Sequence, residues 1–101
     1  MIIREWRGRS AKSNTHAYPK HFRSNVLPEL RRIPGFLGAH LSQRNVSDKI
    51  EFLVLTRWTS MDAIHGFAGA EVEKAVVEPE AVAALVDFDD RVQHYDVIED
   101  A

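Results

Sequence analysis

Two strand-forming runs, FLGAHLSQRNV from Phe36 to Val46 and IEFLVLTRW from Ile50 to Trp58, are separated by only three residues, Ser47 to Lys49. So short a connection cannot hold a crossover, and the two runs must pair as an antiparallel hairpin. The rest of the chain has to be arranged around that hairpin. Upstream, IIREWRG carries Ile2, Ile3 and Trp6 before Gly8 and reads as a first strand over residues 2 to 8. A polar loop, Arg9 to Thr15, follows. Tyr18, Phe22, Val26, Leu30 and Ile33 then recur every three or four residues, which is one face of a helix. Lys20, Arg23 and Arg31 lie off that stripe and are expected in water. Pro19 suits a first helical turn. Pro28 does not suit a helix interior, where it costs ~3 kcal/mol unless the helix kinks. The IPG of Ile33 to Gly35 ends the helix.

After the hairpin, Thr59 and Asp62 have the spacing of a capping box, so a helix is expected just beyond Trp58 and broken early by Gly66 and Gly69. A short helix is expected over Ala70 to Val77. Another is expected from Glu78 to Phe88, restarted at Pro79, and a fourth strand from Arg91 to Glu99.

The order β-α-β-β-α-β predicts an α+β, ferredoxin-like fold, a four-stranded antiparallel sheet with helices on one face. Alternation assigns Leu37, Ala39, Leu41, Phe52, Val54, Thr56, Trp58, Val92, His94 and Ile98 to the face beneath the helices. Phe36, His40, Arg44, Glu51, Leu53, Leu55, Arg57, Tyr95 and Val97 fall on the opposite face. Its apolar centre would be an exposed patch unless covered, most simply by a second copy in a two-fold homodimer.

At 101 residues the chain has the length of one domain, 1–101, and its 45% apolar content is enough for a core. The formal charge of -2 argues against nucleic acid, which calls for a basic face. No apolar run is long enough to span a membrane. The N-terminus lacks a signal-peptide core, and the expected location is cytoplasmic. With no cysteine, thiolate catalysis and zinc–sulfur or iron–sulfur sites are excluded. His16, His21, His40, His65 and His94 form no i,i+4 pair and no H-x-E motif, so no metal site is expected. The acidic DFDDR at Asp87 to Arg91 resembles a charged turn more than a calcium loop.

Three segments, VLTRWTSMDAIHGFAG, GFLGAHL after Pro34, and FDDRVQHYDV, resemble the antibiotic biosynthesis monooxygenase family over nearly the whole chain. The most specific part is Trp58 to Ala63 followed by Phe67. The resemblance implies a dimeric α+β barrel of two ferredoxin-like units. Some members oxidise small polycyclic phenols with oxygen and without metal or flavin; others degrade haem. In haem-degrading members, a tryptophan falls on Trp58, an asparagine on Trp6 and the iron-ligating histidine on Val77. Neither Trp6 nor Val77 can supply the chemistry of the residue it replaces.

The expected function is therefore cofactor-independent oxidation of a small aromatic phenol. The alternative is a non-catalytic dimer that binds a small ligand. Trp58 is a candidate to orient the substrate through its indole N–H, or else a core aromatic. His94 and His65 are candidate bases, with a neutral buried histidine and a helix-surface histidine as their bland readings. Trp6, Phe22, Phe67 and Phe88 are candidate pocket walls, with core packing as the competing reading. Tyr18 is equally suited to a pocket mouth and to helix packing.

Overall fold

A computed structural model describes residues 1–101. β1 (Ile2–Ala11), β2 (Phe36–Val46) and β3 (Lys49–Trp58) are long strands, and the predicted hairpin is present, with Val46 opposite Lys49. The outer lane beside β1 holds two pieces, β4 (Asp87–Phe88) and β5 (Gln93–Asp96). The lanes run β2, β3, β1, then β4 and β5, and every pairing is antiparallel. This is the ferredoxin-like order that the alternation of elements predicts.

The first helical stretch is continuous but not uniform. α1 (Ala17–His21) passes into a π-helical turn, Phe22–Val26, and then into α2 (Leu27–Arg31). The amide of Leu27 donates to the carbonyl of Phe22, five residues back. Widening the helix here accommodates Pro28, which has no amide to give and would crowd the carbonyl four residues before it. Tyr18, Phe22 and Leu30 are buried along the predicted stripe.

α3 (Met61–Ala68) starts one residue later than the capping box implies. Ser60 is its cap, accepting the Ala63 amide at 3.2 Å. Residues 70–77 are not a helix. A turn closes from Glu71 to Lys74, and beyond it Ala75 donates to the Asp90 carbonyl and Val92 to the Glu73 carbonyl, both at 2.8 Å, so the segment lies beside the chain that leads into β5. α4 (Pro79–Ala84) ends well short of Phe88. Val86 instead donates to the Arg9 carbonyl at 2.8 Å, pulling Asp87 and Phe88 onto the edge of β1. β5 is shorter than the expected Arg91 to Glu99, and Ile98, expected beneath the helices, is 94% exposed.

A bulge between Phe36 and Gly38 also changes the predicted faces. It places Phe36 against Trp58, with ring centroids 5.4 Å apart, and leaves Leu37 exposed. The reverse was expected, because one extra residue inverts the alternation. Beyond the bulge, Ala39 and Leu41 pack toward the helices as predicted.

The core beneath the helices is divided in two. One cluster holds Tyr18, Phe22, Ile50, Phe52, Ala81 and Ala84; the other holds Leu30, Trp58, Ile64 and Val72. On the opposite face, Glu51 is buried and takes Arg44 at 2.8 Å and Arg9 at 3.3 Å. Arg9 also pairs with Asp87 and Asp89, so the acidic turn is tied to the sheet edge.

Candidate functional site

A narrow cleft opens between the two core clusters, with a cavity volume of about 60 Å³. Trp6, Tyr18, Val54 and Phe67 are among its walls, and Arg4, Thr56, His21 and Glu78 supply polar groups. An apolar cavity with a few convergent polar atoms is the usual form of a small-molecule site.

The register of β1 builds the floor. Arg4, Trp6 and Gly8 point the same way, and β3 places Thr56 opposite Arg4 and Val54 opposite Trp6. Gly8 leaves space for the Trp6 ring; a methyl group there would lie 2.8 Å from the indole. The Trp6 indole N–H donates to the Asp89 carbonyl at 2.8 Å, which fixes the ring as a wall.

Arg4 is the unusual member. It is 5% exposed yet takes part in none of the ion pairs. Its guanidinium donates to the Val72 carbonyl at 2.5 Å and to the Lys74 carbonyl at 3.1 Å, and it lies 5.7 Å from the centre of the Phe67 ring. Burial pulls its pKa down to about 10, so it is still a cation at neutral pH. The cleft thus has on its floor a positive charge that is not ion-paired, and one carboxylate, Glu78, elsewhere in its lining. Such a charge favours an anionic ligand.

His21 is the second unusual member. It is 6% exposed, and its Nε2 is buried with no hydrogen-bond partner. Its Nδ1 lies 3.1 Å from a carboxylate oxygen of Glu80 and 3.0 Å from the Asn25 amide nitrogen, which itself donates to Glu80 at 2.9 Å. Glu80 can only accept and the Asn25 amide nitrogen can only donate, so these two neighbours call for opposite states of Nδ1. The packing of α4 against α1 makes the Glu80 contact. His21, Glu78 and Glu80 also bring donor atoms within 4.8 Å of one another.

Tyr18 adds a phenol held protonated, first by burial and then by the nearby Glu78. Sequence reasoning treated it as an open case and did not single out Arg4, His21 or Glu78. Neither Arg4 nor His21 lies in a recognisable motif. The one signal was the position of each on a stripe facing the core, where a charged or titratable residue needs a reason.

The candidates named from the sequence separate. Trp6 and Phe67 line the cleft. Trp58 does not: it is 0% exposed, donates its indole N–H to Thr56 Oγ1 at 2.8 Å, and stacks on Phe67 from behind, 5.9 Å between centroids. Phe22 is in the core, and Phe88 packs on the Trp6 ring, 6.2 Å away. His65 is exposed at the end of α3, its Nδ1 2.8 Å from the Gly69 carbonyl. His94 lies behind Arg4, its Nε2 3.0 Å from the guanidinium. Burial, then the charge of Arg4, holds His94 below the usual histidine range.

No helix is long and apolar enough to cross a membrane. Solved structures share the fold. A Bacillus cereus protein provisionally designated an antibiotic biosynthesis monooxygenase is 17% identical, with 99% of this chain and 95% of that one covered and a TM-score of 0.69. A Deinococcus radiodurans protein with the same provisional designation is 16% identical over 100% of this chain and 96% of that one, with a TM-score of 0.64. A mutant of MhuD, crystallised with two manganese protoporphyrin IX per active site, is 16% identical over 100% and 98%, with a TM-score of 0.63. Identities this low speak for the fold alone. No curated protein matches the chain in sequence. The profile of one family matches residues 1–79, most of the chain, and the chain therefore belongs to the antibiotic biosynthesis monooxygenase family.

Proposed function

We propose that this protein is a cofactor-independent monooxygenase acting on a small aromatic phenol. The observation that supports this reading best is the aromatic cleft with Arg4, buried and outside any ion pair, on its floor. Flat walls at Trp6, Tyr18 and Phe67 suit a ring system. The cation suits the anion that forms when a phenol or its keto tautomer loses a proton. An anthrone is a model substrate. Its CH₂ becomes C=O, with one oxygen atom retained and the other leaving as water with the two hydrogens, so no outside reductant is required. The protein's part is to bind, exclude water and stabilise the anion. Trp58 supports the Phe67 wall from behind.

The working unit in this proposal is a homodimer formed through the open sheet face. Its support is the partly exposed apolar centre at Leu53, Leu55 and Val97, framed by the charges around Glu51. Haem degradation finds no support. Val77, where the resemblance puts the ligating histidine, lines the cleft and cannot bind iron, and the Trp6 N–H is already given to Asp89.

The second reading is a small-ligand-binding protein of the same fold. It is favoured by one observation: both histidines expected as bases, His65 and His94, are engaged elsewhere. Oxygen uptake by the metal-free protein on a panel of anthrones separates the two. Uptake that disappears in Arg4→Met supports the oxygenase. Saturable binding of the same compounds without uptake supports the binding protein.

A further inference from the structure

We propose that His21, Asn25 and Glu80 form a site for one divalent first-row transition ion of the zinc type, with Glu78 as a further ligand. The inference goes beyond the monooxygenase reading and needs none of its chemistry. Three polar atoms form a nearly equilateral triangle. His21 Nδ1 lies 3.1 Å from Glu80 Oε2 and 3.0 Å from the end of the Asn25 amide, and that amide end lies 2.9 Å from the same Glu80 oxygen. Ligand atoms about 2.1 Å from a shared ion, and at right angles around it, stand about 3.0 Å apart. The triangle therefore has the dimensions of one face of a coordination shell.

Hydrogen bonds alone leave the triangle in conflict. A proton on Nδ1 serves Glu80 but meets an N–H of Asn25. A proton on Nε2 serves Asn25, but it turns the Nδ1 lone pair toward a carboxylate and buries an N–H that has no partner. A cation over the triangle removes the conflict. Nδ1 and Glu80 both direct lone pairs at it, and half a turn of the Asn25 amide brings Oδ1 to the place of the nitrogen. Charge points the same way. The donor atoms of His21, Glu78 and Glu80 lie within 4.8 Å of one another, and neither carboxylate is paired with a lysine or arginine. Two like charges that close favour a cation between them.

The site has a fixed side and an open side. The His21 ring is buried, while Asn25 and Glu80 are exposed and line the surface hollow through which an ion can enter. One imidazole nitrogen among oxygens suits zinc and its neighbours; calcium and magnesium prefer oxygen alone. The spacing of the histidines gives no hint of it, because Glu80 comes 55 positions after Asn25. The ion ties α1 and the turn that follows it to α4. Tyr18 and Ala81, from those same helices, wall the cleft, so the ion fixes the spacing of that wall.

Zinc titration of the metal-free chain, read by calorimetry and by thermal melting, tests the site. The wild type is expected to bind one Zn²⁺ per chain and to melt at a higher temperature with it, and Mg²⁺ is expected to do neither. His21→Gln and Glu80→Gln are each expected to weaken binding about tenfold or more. Asn25→Asp separates a ligand from a structural amide. It is expected to melt below the wild type without metal, and to bind Zn²⁺ more tightly than the wild type. A purely structural amide gives the first effect without the second, and that result overturns the proposal. Binding of full strength in His21→Gln also overturns it, as an adventitious ion only, held by exposed histidines such as His16, His40 and His65. Should the His21 variant fail to fold, the wild-type imidazole signals in an NMR titration decide: a His21 signal that does not move with the first equivalent of Zn²⁺ overturns the proposal.

Discussion

Arg4 Nη1 donates to His94 Nε2 across 3.0 Å, so the imidazole is the acceptor and carries its proton on Nδ1. His94 is therefore neutral in the folded protein. Burial comes first among the causes, the Arg4 charge second, and Glu73 opposes them. The sign of the pH effect follows. A histidine whose folded pKa lies below its unfolded value binds fewer protons folded than unfolded across that interval, so stability rises with pH there and falls on acidification. Urea midpoints measured from about pH 7.5 down to about pH 5 are expected to fall, and His94→Gln is expected to flatten the decline. A decline equally steep in the variant would place its cause elsewhere.

Arg4 also ties down the irregular segment at 70–77 through the Val72 and Lys74 carbonyls. Arg4→Lys keeps the charge but cannot reach three acceptors with a planar fork. A loss of about 1–3 kcal/mol is expected, with faster amide exchange confined to residues 70–77 and the strand beside them. Exchange that rises uniformly over the sheet would contradict this local role.

Trp58 fills the second core cluster completely and gives its N–H to Thr56. Trp58→Phe removes that bond and leaves a void behind Phe67. A loss of about 1–3 kcal/mol in chemical denaturation is expected. Any loss of ligand affinity should follow from movement of the Phe67 wall. A variant as stable as wild type would mean that the corner relaxes to fill the space.

Gly35 stands at φ 92°, and a methyl group there would collide with Ala63 and come within 2.7 Å of Thr59 Oγ1. Its carbonyl also accepts the Thr59 amide at 2.9 Å, locking the start of β2 to the end of β3. Gly35→Ala is expected to cost more than about 1 kcal/mol, from backbone strain and contact together. A thermal melt compared with Gly69→Ala separates the two, because Gly69 has a similar positive φ of 78° and open space around it.

Leu55 lies at the centre of the open sheet face, opposite Glu5 and His40. If a second copy covers that face, Leu55→Arg is expected to convert the dimer to monomer in sedimentation at micromolar concentration. The same oligomeric state in both proteins would remove this face from the interface.

The sequence by itself determined the hairpin, the order of lanes in the sheet, the helical stripe from Tyr18 to Leu30 and the family. These are set by connection length and by periodicity, which act between near neighbours. It also pointed to Trp6 and Phe67 as walls. Tertiary structure decided the rest. Residues 70–77 have helix-compatible composition, yet they form a turn and an irregular stretch whose Val72 and Lys74 carbonyls go to Arg4, some seventy positions away. The bulge at Phe36 inverts two side chains that strict alternation would have placed the other way. Trp58 looks like a site residue in the chain, and only its Thr56 partner shows that its polar atom is spent. His21 looks like a routine helical residue until α4 brings Glu80 against its Nδ1 and leaves its Nε2 buried without a partner. Burial and pairing are properties of two surfaces meeting, and neither can be read from one of them alone.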